Sequence, residues 1–167
     1  TLPRSLRLSF LTPTTGPSFF ADLSKRSDLA LVAEQAAEQL AGCDILVANA
    51  GTANRVPLKS MDEGDFSAIL DLNITAQWLL SKALFPLLSA SQTGRIVNIA
   101  SVYGLGASAI NGLGAYTTSK HALIGLTRSQ AVEWARDGIT ANAIAPGYFP
   151  TEMTQTALED EKMGARL

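Results

Sequence analysis

The sequence predicts an α/β fold built on a parallel, doubly wound sheet. Three apolar runs, at 44–48, 94–100 and 139–144, have the length and composition of buried parallel strands. Stretches with apolar residues at helical spacing, at 65–89 and 115–136, separate these runs. Because strands that alternate with helices pair in parallel, we expect helices on both faces of one sheet.

Capping and breaking residues place the ends of these helices. Asp62 or Asp65 is expected to cap the first helix, and Pro86 is expected to bend or end it. Gly138 is expected to end the second helix, since glycine tolerates the left-handed conformation found after many helices.

Two further elements are predicted upstream. Residues 27–41 have helical spacing, and the two phenylalanines at 19–20, just before Asp22, are typical of the end of a strand. We therefore expect one domain over 19–167, preceded by an atypical segment at 1–18.

Composition excludes several classes of protein. The chain has 167 residues, 47% of them apolar and 17% charged, which is typical of a folded domain with a real core. A net charge of −2 without a basic block argues against nucleic acid or an anionic membrane as partner. No apolar run reaches the roughly 20 residues of a membrane helix. With Cys43 as the single cysteine and one histidine, we expect no disulfide framework, no metal site and a cytoplasmic location.

The strongest chemical signal is a tyrosine and a lysine four residues apart, Tyr116 and Lys120. On a helix these side chains project from the same face. An ammonium near a phenol favours the phenolate, so we expect the pKa of Tyr116 to fall below its usual value of about 10. A phenol whose pKa approaches working pH is suited to general acid–base catalysis.

Several other elements accompany this pair in a fixed order. Along the chain they are Asp44-Ile-Leu-Val-Ala-Asn49-Ala50-Gly51, Asn73, Ser101, Tyr116-x-x-x-Lys120, and Pro146-Gly147 followed by Thr151. The ordered set resembles the short-chain dehydrogenase/reductase family over about residues 20–155, and it implies that family's Rossmann-like sheet. The residues after Ser101 and the run at 146–153 are most similar to sugar-acid and polyol dehydrogenases such as gluconate 5-dehydrogenase. The 3-oxoacyl carrier-protein reductases share the same core.

The resemblance implies a role for each catalytic residue. Tyr116 would exchange a proton with the substrate oxygen, and Lys120 would lower the pKa of Tyr116 and bind the nicotinamide ribose. Ser101 would hold the same substrate oxygen, and Asn73 would anchor a water molecule that feeds a proton relay. The reaction implied is hydride transfer between NAD or NADP and a small secondary alcohol or ketone.

The resemblance also implies a cofactor site, because ligands of open parallel sheets bind beyond the carboxyl ends of the strands. Asp22 would reach the adenine, and the run Asn49, Ala50 and Gly51 would line the adenosine side. The nicotinamide would be bordered by Pro146, Gly147 and Thr151.

A glycine pattern at 104–109 is formally a dinucleotide fingerprint, Gly-x-Gly-x-x-Ala. The residues that follow it do not start a helix that could bind a pyrophosphate. We therefore interpret the segment as a substrate-side loop.

The family's first strand, glycine-rich turn and last strand have no counterpart in this sequence, so we expect a chain truncated at both ends. We expect it to bind its cofactor more weakly than a complete domain, and Ile45 and Val47 to lie on an unpaired apolar edge. The alternation at 6–10 predicts a strand that could cover this edge.

Two functional classes follow from these patterns. The first is an NAD(P)-dependent oxidoreductase. The second is a catalytically silent fragment that keeps the fold core and an oligomerisation surface. In the family, the helices predicted at 65–89 and 115–136 form subunit contacts, so we expect a homo-oligomer.

Overall fold

The computed structural model describes residues 6–9, 18–40, 42–108 and 110–149. Its strands are β1 (Leu6–Ser9), β2 (Ser18–Ala21), β3 (Ile45–Ala48), β4 (Arg95–Ile99) and β5 (Thr140–Ile144). Its α-helices are α1 (Arg26–Gln39), α2 (Glu63–Leu70), α3 (Ala76–Ala90) and α4 (Gly114–Glu133).

The central sheet is parallel, as predicted, with β4 between β3 and β5. Ile45 pairs with Arg95, which in turn pairs with Thr140, and the three strands stay in register to their carboxyl ends. The segments that leave these ends therefore meet at one edge of the sheet, and this edge carries the candidate site.

The helices of the described ranges cover one face of the sheet. Leu46 and Ile96 are buried there against the apolar face of α3, and α1 packs on the other side of α3. The opposite face carries Ile45, Val47 and Ile144, which are 61%, 52% and 53% exposed. Helices on both faces were expected; within the described residues the second face has no helix against it.

The strand that was predicted to cover the free edge of β3 does not pair with β3. The strand expected at 6–10 is present as β1, but it pairs antiparallel with β2 in a separate two-stranded sheet. Pairing with a strand close in sequence closes a short loop, which costs less conformational entropy than reaching β3. Among the described strands β3 pairs with β4 alone, so the expected unpaired edge is confirmed.

The helix predicted at 65–89 is longer and less regular than expected. Asp62 caps it, its carboxylate accepting a hydrogen bond from the Gly64 amide at 2.7 Å. A π-helical turn at Asp71–Thr75 joins α2 to α3, and such turns often occur at functional sites. Pro86 was expected to bend or end the helix. It does not end the helix, because α3 continues to Ala90.

Solvent exposure explains why Pro86 is tolerated. Proline cannot donate a hydrogen bond to the carbonyl of the residue four positions earlier, which here is Lys82. Both Pro86 and Lys82 are exposed, so water can take the place of the missing donor.

A chain of buried amide and hydroxyl groups joins β4 to α4 and α3. The Asn98 amide donates to Thr127 Oγ1 at 2.9 Å and to Gln130 Oε1 at 2.8 Å. The Gln130 amide then donates to Ser81 Oγ at 2.8 Å. Each buried group left unpaired would cost about 1–3 kcal/mol, so these bonds favour a single register of both helices on the sheet.

The C-terminal part of the fold follows the sequence closely. After α4, a 3₁₀ turn at Ala135–Asp137 leads to Gly138, whose φ of 74° ends the helix as expected. Trp134 packs edge-on against Phe85 of α3, with ring centroids 5.1 Å apart. No helix in the described ranges is long and apolar enough to cross a membrane.

Candidate functional site

A cavity of about 260 Å³ opens at the carboxyl ends of the central strands. Seven of the eleven residues predicted for the site line it: Asn49, Gly51, Ser101, Tyr116, Lys120, Pro146 and Gly147. Three residues that the sequence did not single out complete the lining, namely Ile99, Ala100 and Phe149. Of the remaining four, Thr151 lies outside the described residues.

The phenol of Tyr116 and the hydroxyl of Ser101 lie together in this cavity. A hydrogen bond from the Ser101 hydroxyl favours the phenolate, but burial of the ring and the neighbouring Tyr103 act in the opposite direction. Desolvation is the largest of these effects, so the pKa of Tyr116 is raised above its ordinary value of 10.0. The expectation of a lowered pKa is therefore wrong for this structure, and the phenol of Tyr116 is protonated at neutral pH.

The position of Lys120 helps to explain why the pKa of Tyr116 is not lowered. Its ammonium donates to the Ile99 carbonyl at 2.7 Å and lies 5.6 Å from the centroid of the Tyr116 ring. Burial lowers the pKa of Lys120 from 10.5 to about 8, because the charged form is desolvated. The amine is thus anchored to the end of β4 and does not lower the pKa of Tyr116 as the sequence suggested.

Asn73 is fully buried behind the cavity and connects three segments. Its side-chain oxygen accepts the Thr52 amide at 2.7 Å, and its side-chain nitrogen donates to the Thr52 carbonyl and to Ser119 Oγ, each at 2.9 Å. Both amide hydrogens are therefore used within the protein. The side chain fixes the loop after β3 against α4, which is a positioning role. The role as a water anchor stays a prediction.

Gln77 and Ser119 take part in this positioning, and the sequence analysis missed both. Gln77 lies one turn after Asn73, is also buried, and donates to the Ala50 carbonyl at 2.5 Å. Ser119 accepts from Asn73 and donates to the Tyr116 carbonyl at 2.7 Å. Two amide side chains four residues apart in an otherwise apolar helix were the signal that could have found Gln77.

Asp22 is not among the residues that line the cavity. Its carboxylate accepts hydrogen bonds from the Ser24 amide and hydroxyl, at 3.1 and 2.6 Å, and lies 3.7 Å from the Lys25 ammonium. The hydrogen bond from the Ser24 hydroxyl holds the pKa of Asp22 below its ordinary value. In this structure the residue organises the entry to α1.

The glycine pattern after β4 has a packing explanation. A Cβ at Gly104 would lie 2.7 Å from the Lys120 carbonyl oxygen, so the 3₁₀ turn at Val102–Gly104 packs against α4 only with glycine there. The interpretation of the segment as a substrate-side loop stays a prediction.

The described residues fit the reactive end of a dinucleotide. A Cβ at Gly51 would lie 3.2 Å from Asn73 Oδ1 and 3.6 Å from Lys120 Nζ, so glycine keeps this part of the groove open. Pockets that bind drug-sized ligands have volumes of about 300–1,000 Å³. The cavity is smaller, so it suits a nicotinamide and its ribose better than a whole dinucleotide.

The lowered pKa of Lys120 predicts how the stability of the fold depends on pH. With a pKa of about 8 when folded and 10.5 as its ordinary value, the unfolded chain binds more protons between these limits. The free energy of unfolding contributed by Lys120 therefore rises with pH from 8 to 10. Below pH 8 both states are protonated and the full cost of the buried charge applies.

We expect urea unfolding to show this rise as a difference between wild type and Lys120→Met. Between pH 8 and 10 the wild type should gain about 2 kcal/mol relative to the variant. Above pH 10 the raised pKa of Tyr116 acts in the opposite direction. If the free energy of unfolding changed with pH in the same way in both proteins, burial would not lower the pKa of Lys120.

Comparison with known proteins identifies the family. The family model for short chain dehydrogenase matches residues 17–162. A D-beta-hydroxybutyrate dehydrogenase from Cupriavidus necator is 35% identical over 139 residues, which cover 83% of this chain and 53% of that protein. A 3-oxoacyl-[acyl-carrier-protein] reductase from Vibrio cholerae is 36% identical, over 91% of this chain and 61% of its own length.

Solved structures give the same result. A gluconate 5-dehydrogenase from Burkholderia cenocepacia, in complex with NADP and tartrate, matches with a TM-score of 0.78 and 30% identity. The match covers 85% of this chain and 55% of that one, so the present chain spans little more than half the length of such relatives. The chain therefore belongs to the short-chain dehydrogenase family, whose members are NAD(P)-dependent oxidoreductases.

Proposed function

We propose that this protein interconverts a secondary alcohol and a ketone with NAD or NADP, on a small substrate such as a sugar acid or polyol. The observation that carries the proposal is the meeting of Ser101, Tyr116 and Lys120 around one cavity at the carboxyl ends of β3, β4 and β5. Family membership supports the same reaction type.

In the reduction direction Tyr116 is the acid. With a pKa above 10.0 the phenol is protonated at neutral pH, so a proton is available for the carbonyl oxygen of a ketone. The Ser101 hydroxyl donates a hydrogen bond to the same oxygen and stabilises the negative charge that develops there. The Lys120 ammonium, held at the Ile99 carbonyl, lies 5.6 Å from the centroid of the Tyr116 ring.

NAD or NADP, when bound, supplies or accepts the hydride. Pro146 and Gly147 would border the nicotinamide, and Lys120 would bind its ribose. Asn49, Ala50 and Gly51 would line the adenosine side, and the proposal extends to Asp22 for the adenine and to Thr151 near the nicotinamide. The relative from Burkholderia cenocepacia, solved in complex with NADP, supports a dinucleotide as the cofactor.

The tartrate in that same complex supports a polyhydroxylated acid as substrate class. The second candidate is a 3-oxoacyl thioester, which the relative from Vibrio cholerae supports. The ratio of kcat/KM for gluconate to that for a 3-oxoacyl thioester separates the two, because only the thioester requires room for an acyl chain.

The central prediction concerns Tyr116→Phe. Removing the phenolic hydroxyl while keeping the ring should lower kcat about 100-fold or more, because general acid–base groups accelerate reactions by factors of this order. Circular dichroism should report an unchanged fold. Thr118→Ala, an exposed change on the same helix, is the matched control and should keep normal turnover. Near-normal turnover by Tyr116→Phe would remove this residue from the mechanism.

We also propose a homo-oligomer that uses α2, α3 and α4. The exposed side chains of Trp78, at 41%, and Val132, at 78%, give α3 and α4 apolar surface for such a contact. Sedimentation velocity should show an assembly that Val132→Glu weakens. A monomeric wild type at micromolar concentration would contradict the proposal.

A further inference from the structure

Gln77 lies on the buried side of α3, one helical turn after Asn73. It is 1% exposed, and its side-chain nitrogen donates to the Ala50 carbonyl at 2.5 Å. The same nitrogen donates to the carbonyl of Leu72, in the π-helical turn, at 3.4 Å. One buried amide therefore joins the turn before α3 to the loop after β3.

The loop after β3 is held at two points, one on either side of Gly51. Gln77 holds the carbonyl of Ala50. Asn73 holds both the amide and the carbonyl of Thr52. Because two side chains four residues apart project from the same side of a helix, the position of this backbone against α3 is fixed on both sides of the glycine.

This loop forms one wall of the cavity at the candidate site. Asn49 and Gly51 line the cavity, and Ala50 lies between them. A shift of the Ala50 carbonyl would therefore move the wall that the dinucleotide contacts in the proposed function. Ser101 and Tyr116 belong to other segments, which this shift would leave in place.

Stability alone gives a poor account of a glutamine at position 77. The side-chain oxygen of Gln77 is buried and has no hydrogen-bond partner among the described residues. A buried acceptor without a partner costs free energy that an apolar side chain of the same shape would avoid. Gln130 on α4 differs, because its oxygen accepts from Asn98 and its nitrogen donates to Ser81. What Gln77 provides is its donor to the loop.

We propose that Gln77 is a positioning residue for the dinucleotide, because it holds the Ala50 carbonyl and so keeps the loop at 49–51 in the shape that the cofactor contacts. Its contribution is to cofactor affinity and not to the chemical step, since its amide donates to two backbone carbonyls outside the reacting groups. The inference rests on the proposed function for the place of the cofactor beside this loop.

The first test compares Gln77→Met with the wild type in the binding of NADPH, measured by NADPH fluorescence, with NADH in parallel. Methionine keeps the approximate shape of the glutamine side chain and removes its donor. The Kd for NADPH should rise about tenfold, which is the value of one hydrogen bond. With the substrate that the wild type turns over and at saturating cofactor, kcat should stay within about twofold of wild type, so that the loss appears in the cofactor KM.

Gln130→Met is the matched control, because it removes a buried amide of the same size whose hydrogen bonds go to β4 and α3. The change takes away the donor to Ser81 and one acceptor of Asn98. Gln130→Met should therefore unfold at a lower urea concentration than the wild type and keep the wild-type Kd for NADPH. Gln77→Met should show the reverse, with a urea midpoint close to wild type and a weaker Kd.

The second test observes the hydrogen bond itself, through the carbonyl carbon of Ala50 in the protein without cofactor. Its carbon-13 chemical shift should move upfield in Gln77→Met, because a hydrogen bond to a carbonyl deshields the carbon. The shift should stay in place in Gln130→Met. An Ala50 shift that is the same in the wild type and Gln77→Met would contradict the inference.

Two results of the first test would also overturn the inference. One is an equal Kd for NADPH in the wild type and Gln77→Met, and the other is a urea midpoint for Gln77→Met well below that of Gln130→Met. Failure of the proposed function is distinguishable, because the wild type would then bind NADPH and turn over neither substrate class, while the Kd values could still be compared. A wild type that binds neither NADPH nor NADH would overturn both.

Discussion

One buried amide, that of Asn73, holds the candidate site together. It forms three hydrogen bonds, two to the backbone of Thr52 after β3 and one to Ser119 on α4. Ser119 then bonds the carbonyl of Tyr116, so the loop, the π-helical turn and the catalytic helix share one polar contact. Because buried amides are costly to leave unpaired, this contact strongly favours one arrangement of the three segments.

Burial then sets the protonation states at the site. The phenol of Tyr116 and the amine of Lys120 are both removed from water, and desolvation disfavours the charged form of each. The pKa of the tyrosine rises and that of the lysine falls to about 8, so at neutral pH the phenol is protonated and the lysine keeps most of its charge. A protonated phenol beside the Ser101 hydroxyl is the state needed to deliver a proton to a carbonyl oxygen.

The sequence predicted the strands, the helices and the group around Tyr116, since periodicity and the order of motifs depend on local residues. It did not predict the direction of the pKa shift of Tyr116, because desolvation depends on packing between distant segments. The contact between Tyr103 and Tyr148 joins residues 45 positions apart and has no local signal. The error on Pro86 has the same origin, since only the fold shows that the missing hydrogen bond faces water.

Hydrogen exchange at the Thr52 amide tests the central role of Asn73 most directly. In the wild type this amide should be protected to the level of the central strand β4, because it is buried and bonded to the Asn73 oxygen. In Asn73→Ala the Thr52 amide should exchange at least about tenfold faster relative to the Ile96 amide of β4. Equal protection of Thr52 in wild type and variant would show that Asn73 does not hold the site together.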